Sequence, residues 1–175
     1  LKDIIKKHKR VIFNGDGYSE AWHKEADRRG LPHLRDSVDA LPVIRSRKAC
    51  DLMSRYKVLT KVEMQSRCTI FLEKYVKQVA IEAETMASMV RTQIIPAVLQ
   101  HQRRAEAVAA TQAADVGCSE QRDVLEGYVE AAGRMHEALS GLEKALHHHA
   151  AGDEMDHAKH VRSHVKPAMA KLRDA

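Results

Sequence analysis

The sequence contains few aromatic residues, which make up 4% of its 175 residues. A hydrophobic core must therefore be assembled from Leu, Val, Ile, Met and Ala, as helical bundles do. Proline is also scarce, with 4 in the whole chain, so long helices face few interruptions. These shortages favour a mainly α-helical protein over a β-sandwich or barrel.

Cysteines are few and widely spaced. Cys50, Cys68 and Cys118 form no CxxC pair, which argues against a disulfide framework or a zinc ribbon and is typical of a reducing compartment. No apolar run approaches the ~20 residues needed to cross a bilayer, and no signal-peptide pattern opens the chain. We therefore expect a cytoplasmic protein without a membrane partner. The first residue is Leu1 rather than Met, so we expect a piece of a longer protein.

The charges of the chain show no large block of one sign. The net charge is +5, from 29 basic and 24 acidic residues that alternate along the sequence. Nucleic-acid-binding proteins usually collect Lys and Arg on one stripe, with aromatic residues for stacking. The basic run Lys6–Arg10 is short and has no such aromatic partners. We therefore predict no nucleic-acid partner.

The N-terminal segment has the most specific local pattern. The β-branched and aromatic run Val11–Phe13 predicts a short strand. Asn14–Gly17 predicts a sharp turn, because these residues tolerate positive φ. Ser19 then predicts the cap of a helix that ends near Gly30. The segment is thus predicted to be a small strand–turn–helix unit, preceded by a helix end over residues 3–9.

The remainder predicts long helices. Pro42 predicts a turn, followed by a helix from about Val43. Thr60 and Glu63 form a capping-box pattern that opens a helical repeat reaching about residue 114. Because Pro96 removes a backbone donor inside this repeat, we expect a kink near Gln93.

Two further helices follow in the sequence pattern. Residues 115–118 predict a break, and Ser119 the cap of a helix that runs to the histidines at 147–149. Gly152 predicts the next turn, and Glu154 the start of a last helix to about Arg173. Because the connections are short, neighbouring helices should be antiparallel. The predicted fold is mainly α: an antiparallel bundle of three or four long helices, residues 43–175, behind the strand–turn–helix segment in residues 1–42.

Histidines near the C-terminus are the densest group of potential metal ligands. His157, His160 and His164 are spaced i, i+3 and i+7, which places them on one face of a regular helix. Three imidazoles on one face are candidate ligands for zinc or nickel. The alternative interpretation, which we favour from sequence, is a solvated histidine face. His147–His149 end their own helix, where cationic side chains also suit the helix dipole.

No catalytic residue is predicted in this chain. Cys118 follows a glycine in a predicted loop, but no partner base can be assigned to it from sequence. Gly15 and Gly17 resemble half of a phosphate-binding loop, yet the third glycine and the Lys-Ser/Thr pair of a P-loop are missing. We predict a turn there and no cofactor bound by this chain.

The chain resembles the C-terminal part of type III glutamine synthetases along almost its whole length. The most specific match is the N-terminal stretch that contains Asn14-Gly-Asp-Gly-Tyr-Ser-Glu-Ala-Trp22. The matching segments are Lys2–Ala26, Arg29–Pro32, Asp39–Pro42, Tyr75–Lys77, Ile81–Met86, Gln93–Ala97, and Val165–Met169 with Leu172 and Arg173. They occur in the same order as in the family.

The resemblance implies an activity for a parent enzyme. Such an enzyme ligates ammonia to glutamate through γ-glutamyl phosphate, uses ATP with magnesium or manganese, and assembles from identical subunits into large homo-oligomers. The family's metal, ATP and phosphate ligands lie in segments that we expect to precede Leu1, so no catalytic residue is carried over. The family also continues past the closing helix into a Trp-, Pro- and Tyr-containing tail, which we expect beyond Ala175.

The resemblance implies a role for this region within the parent enzyme. We expect residues 1–42 to contain the end of the catalytic-domain region, and the bundle to have a structural, oligomerisation or regulatory role. The partners would be the rest of the parent enzyme and identical subunits. Two alternatives stay open. One is a stand-alone helical interaction or scaffold protein, and the other is a histidine-rich metal-binding bundle.

Overall fold

A computed structural model describes residues 1–112, 119–148 and 152–175 of the protein. In these ranges the α-helices are α1 (Lys2–Lys7), α2 (Glu20–Arg28), α3 (Ser37–Ala40), α4 (Arg47–Arg55), α5 (Lys61–Met89), α6 (Ile95–Gln112), α7 (Ser119–His147), α8 (Glu154–His160) and α9 (Lys166–Asp174). Short 3₁₀ turns cover Lys9–Val11 and Leu41–Arg45, and π-helical turns cover Val90–Ile94 and Val161–Val165. The mainly helical bundle predicted from sequence is confirmed.

The predicted strand at residues 11–13 is wrong. Val11 ends a 3₁₀ turn, and Ile12 and Phe13 are irregular. Within the described ranges no strand is present to accept or donate the backbone hydrogen bonds that a strand here would need. Phe13 packs instead on Trp22, with ring centroids 4.5 Å apart. The turn and the helix of this segment are present, and Ser19 Oγ accepts a hydrogen bond from the Trp22 N–H, as an N-cap does.

Residues 37–55, which we call the connection, lie between the N-terminal segment and the bundle and differ in detail from their prediction. The helix expected from about Val43 begins at Arg47, because residues 41–45 form a 3₁₀ turn with Pro42 in its first positions. Ser46 Oγ caps the helix by accepting from the Ala49 N–H at 3.2 Å. An α3 turn precedes Pro42, so the chain stays helical on both sides of the proline.

The longest helix begins with the predicted capping box. Thr60 Oγ1 accepts from the Glu63 N–H at 3.3 Å, and Glu63 Oε2 accepts from the Thr60 N–H at 2.7 Å. The chain then remains helical from Lys61 to Gln112, with the Val90–Ile94 π turn inside it. The kink expected near Gln93 stays a prediction. What the structure has there is a π turn just before Pro96, where the missing proline N–H relaxes the α-helical hydrogen bonding.

The break predicted at residues 115–118, which includes Cys118, lies outside the described residues, and α7 begins at Ser119. Before α8, Gly152 adopts a φ of 142°, which suits glycine. Asp153 Oδ1 then caps α8 by accepting from the N–H groups of Met155 and Asp156, at 2.9 and 3.1 Å.

The main core lies between α5, α7 and the α8–α9 segment. Ala83 from α5, Leu142 from α7 and Val165 from the second π turn are buried together. Helix α7 runs antiparallel to both neighbours. On one side Arg91 contacts Glu143 and His101 contacts Tyr128. On the other side His160 contacts Ala145 and Lys171 contacts Glu137. The three long helical segments thus form an up-down-up bundle.

A smaller core attaches the connection to this bundle. Val38 from α3 is buried with Cys68 and Leu72 of α5 and with Ala158 of α8. The Cys68 thiol contacts the Leu41 carbonyl oxygen at 3.5 Å. In the described ranges no helix is long and apolar enough to cross a membrane.

Candidate functional site

The last helical segment, which carries His157, His160 and His164, is interrupted by a π turn. His157 and His160 lie one turn apart on α8, whereas His164 lies in the π turn that follows. A π turn holds an extra residue per turn, so it rotates everything after it about the helix axis. His164 stacks on His160 with centroids 4.7 Å apart and planes only 16° from parallel. The i, i+3, i+7 rule holds only for an uninterrupted α-helix.

A histidine that directly follows α7 approaches the same region. The His148 ring centroid lies 5.2 Å from that of His160, with planes tilted by 40°. His160 Nε2 lies 2.9 Å from the carbonyl oxygen of Ala145, in the last turn of α7. Carbonyl groups in a last turn lack intrahelical donors, so this one accepts the imidazole N–H. The contact joins the end of α7 to the start of the final helical segment.

A small cavity lies beside these rings, between α5, α7 and α8. Its volume is about 210 Å³. Its ionisable lining residues are His148 directly after α7, His157 and His160 on α8, and Glu84 on α5. Its remaining wall is apolar, from Val76, Ala80, Ala145, Leu146, Val161 and Val165. His164 is not part of the wall, so the cavity gathers a different histidine set from the predicted one.

A second group of polar residues forms hydrogen bonds and ion pairs between the connection and the closing helical segment. Asp36, the N-cap of α3, accepts from Lys166 Nζ at 2.9 Å and from the Tyr75 hydroxyl at 3.4 Å. On α3 itself, Asp39 Oδ1 accepts from Arg162 Nη1 at 2.7 Å. These five residues, which we call the clasp, bridge sequence separations of up to 130 residues.

The contacts within the clasp shift the pKa values of Asp36, Lys166 and Tyr75. Burial alone raises the pKa of Asp36, but the Val38 N–H, the Lys166 hydrogen bond and the nearby cations outweigh it, so the net pKa is lowered. The hydrogen bond to Asp36 raises the pKa of Lys166. Burial, followed by the charge of Asp36, raises the pKa of Tyr75. At neutral pH, Asp36 and Lys166 are therefore a charged pair, and the neutral phenol of Tyr75 lies beside them.

The first 30 residues, which we call the head, fold around a small aromatic cluster of their own. Phe13 packs on Trp22, and the Arg29 guanidinium lies 5.7 Å from the Trp22 ring centroid. Arg29 Nη1 also donates to the Ile12 carbonyl at 2.7 Å. In the predicted turn, Asp16 Oδ1 accepts from the Tyr18 N–H at 2.9 Å. The glycine-containing turn is thus closed by its own side chains.

The head packs little against the rest of the described chain. Neither α1, α2 nor the 3₁₀ turn between them makes an extensive contact with a bundle helix in the described ranges. Its large apolar side chains face outward, and Tyr18 is 95% exposed. The others are Leu1, Ile4, Ile5, Val11 and Ile12. This surface is more apolar than a solvated helix end requires.

A family model for the glutamine synthetase C-terminal domain matches residues 1–112. The chain belongs to this family. The resemblance identified from the sequence is thereby confirmed, and the match includes the head, the connection and the whole of α5.

The relatives of this glutamine synthetase C-terminal domain are much longer proteins. A glutamine synthetase of Butyrivibrio fibrisolvens is 36% identical over 145 residues, which cover 81% of this chain and 21% of the relative. A type-3 glutamine synthetase of Dictyostelium discoideum is 42% identical over 103 residues, 59% of this chain and 14% of the relative. A glutamine synthetase of Bacteroides fragilis is 31% identical over 104 residues, again 59% and 14%. The chain spans about a fifth or less of each.

Sequence reasoning missed two features of this domain. The clasp was not identified, although Asp36 directly before Ser37 is a recognisable N-cap signal for α3. The approach of His148 to His160 was also missed. It follows from antiparallel pairing across the turn at Gly152, since residues on either side of a helix–helix connection face each other.

Proposed function

We propose that this chain is a structural module of a glutamine synthetase, docked on the remainder of its own polypeptide and on identical subunits. In the parent enzyme we assign the ligation of ammonia to glutamate, with ATP and magnesium or manganese, to the segments outside this chain. Phosphoryl transfer requires carboxylates that hold metal and cations that hold phosphate, gathered at one point. The proposal makes the bundle a support of that reaction and gives it no catalytic residue.

The outward-facing apolar surface of the head supports this role most directly. Val11 is 58% exposed and Ile4 is 64% exposed. Burying such side chains against a partner surface stabilises by roughly 25 cal/mol for each Å² of apolar area. The relatives carry several times the length of this chain, so a covering surface is available within the parent polypeptide. We infer that the head is the docking element and that the cytoplasm is the site of assembly.

The boundary within the chain supports the same division of roles. The head is linked to the bundle through the connection at residues 37–55, whose Val38 is 3% exposed and packs on α5. The clasp reinforces this attachment through Lys166 and Asp36. The segment that follows the head is therefore attached both to α5 and to the closing helix of the bundle. This attachment is what a regulatory or oligomerisation module requires.

Deletion and point variants of the parent enzyme test the proposal. Removing residues 60–175 should reduce the size of the assembly, measured by analytical ultracentrifugation, and should lower the synthetase activity. In the full-length enzyme, Ile4→Glu with Val11→Glu should do the same, since charge on a buried apolar contact is costly. Val62→Glu is the matched control, because Val62 is 74% exposed on the bundle. Normal oligomers with normal activity after the deletion would refute the proposal.

The alternative of a stand-alone scaffold makes an opposite prediction. It requires that no catalytic sequence be encoded before Leu1, and that the head surface meet a different protein. The reading frame upstream of Leu1 separates the two proposals directly. Several hundred residues of catalytic sequence in that frame would exclude the scaffold.

A further inference from the structure

The cavity between α5, α7 and α8 brings together histidines from two segments of the chain. His148 directly follows α7, and His157 and His160 come from α8. We propose that these three imidazoles form a binding site for one divalent transition-metal ion, such as zinc, separate from the metals of the parent enzyme's reaction. The proposal is independent of the docking role of the head.

The spacing of the His148 and His160 rings fits a shared ion. With metal–nitrogen distances of about 2.1 Å, two imidazole centroids that share a tetrahedral ion lie roughly 5 Å apart. The observed separation is 5.2 Å, and the rings are tilted by 40°. Two of the ligands are therefore already at the distance that coordination requires.

The hydrogen bond of His160 prepares its other nitrogen for coordination. Because Nε2 donates to the Ala145 carbonyl at 2.9 Å, a neutral His160 has its lone pair on Nδ1. Metal-binding histidines characteristically donate their second ring N–H to a backbone carbonyl or a carboxylate, which fixes the tautomer and the ring orientation. His160 has this arrangement before any ion is bound.

The third imidazole, that of His157, and the carboxylate of Glu84 line the same cavity. His157 is three residues before His160 on α8, a spacing that places both on one helix face. Glu84 of α5 lines the opposite wall and adds a negative charge that favours a cation. In the described ranges no three potential ligands already surround one point. Coordination therefore requires a rotamer change of His157 that replaces the interaction this residue already makes, and a water molecule completes the site.

The stacking of His164 excludes it from this set. Its ring lies only 16° from parallel to that of His160. Imidazole lone pairs lie in the ring plane, so two nearly parallel rings direct them side by side and not toward a common ion. His164 therefore serves as a control, equal in residue type and adjacent in space but outside the cavity.

Calorimetric titration of the whole 175-residue chain with zinc sulfate tests the site. We expect one zinc per chain, with His148→Gln and His160→Gln each weakening the affinity at least tenfold, as loss of a ligand does. His157→Gln should weaken it as well, whereas His164→Gln and His147→Gln should leave it within about threefold. Circular dichroism of each variant without metal controls for folding.

A second measurement keeps the assignment testable if a variant folds poorly. Cobalt(II) added to the unmodified chain should give the intense visible absorption of a four-coordinate ion, and zinc should remove it by competition. A six-coordinate cobalt spectrum would overturn the proposal. So would the absence of stoichiometric zinc binding, or an equal loss of affinity in His164→Gln or His147→Gln, since these outcomes indicate an unspecific histidine surface.

Discussion

Replacing Asp36 by asparagine or by alanine separates two roles of this side chain, the cap of α3 and the ion pair with Lys166. One carboxylate oxygen caps α3 by accepting from the Val38 N–H at 2.9 Å. The other accepts from Lys166 Nζ at 2.9 Å. Asparagine keeps an oxygen acceptor for the cap but removes the charge that holds Lys166. Alanine removes both interactions.

The exposure of the two partners sets the expected size of each effect. The Asp36 side chain is 14% exposed, but that of Lys166 is 47% exposed, so water screens the pair. We therefore expect Asp36→Asn to lower the free energy of unfolding by about 1 kcal/mol, the upper end for a partly exposed ion pair. Asp36→Ala should lower it by about 2 kcal/mol, because losing an N-cap costs about 1 kcal/mol more.

Urea unfolding at neutral pH measures these differences. Combining Asp36→Asn with Lys166→Met in a double-mutant cycle should give a coupling energy of about 0.5–1 kcal/mol. Asp51→Asn is the matched control, since its side chain is 67% exposed and lies 3.7 Å from Arg47, so its effect should be close to zero. The reasoning is refuted if the asparagine and alanine variants lose equal stability, or if the cycle shows no coupling.

The same variant predicts a change in pH dependence. The pKa of Asp36 is lower in the folded state than the value of about 3.9 of an unfolded aspartate. The unfolded state therefore binds more protons between the two pKa values, and stability rises with pH there. The contribution of Asp36 is complete above the unfolded pKa and is lost as the pH falls through the folded pKa. In Asp36→Asn the free energy of unfolding should depend less on pH in this acidic range, as urea unfolding at several pH values would measure.

Two further substitutions test the core and the start of the longest helix. Leu142→Ala should lower the free energy of unfolding by about 3 kcal/mol, because Leu142 is fully buried and the lost side chain leaves a cavity. Val129→Ala on the same helix, 50% exposed, should change it far less, and equal losses would contradict the core assignment. Thr60→Ala should cost about 1 kcal/mol through the lost cap of α5, whereas Thr85→Ala inside that helix should cost nothing measurable. A Thr60 variant as stable as the parent chain in urea would contradict the capping role.

Local features of the chain were predictable because the residues that decide them are close in sequence. The Thr60 cap and the Ser19 cap each depend on hydrogen bonds within a few residues. The strand at residues 11–13 was mispredicted for the opposite reason. β-propensity is realised only when a neighbouring strand pairs with the segment, and Phe13 packs on the Trp22 ring instead.

The histidine cavity shows the same limit of sequence reasoning at a candidate site. The spacing of His157 and His160 was sufficient to place them on one face of α8. That the cavity is lined by His148 and not by His164 depends on the π turn after α8 and on the register of α7 against α8, neither of which residue spacing reveals. The lining of the cavity is therefore known only once the helices are packed against each other.

The sequence by itself determined the long helices, the Ser19 and Thr60 caps, and the membership of the chain in the glutamine synthetase C-terminal domain family. Periodicity, capping and motif order are properties of neighbouring residues, so they can be deduced before the chain folds. Only the tertiary structure decided that Asp36 meets Lys166 and that His148 meets His160. These pairs form because the cores around Val38 and Leu142 fix how the helices slide and rotate against each other, and that register is a property of the packed bundle.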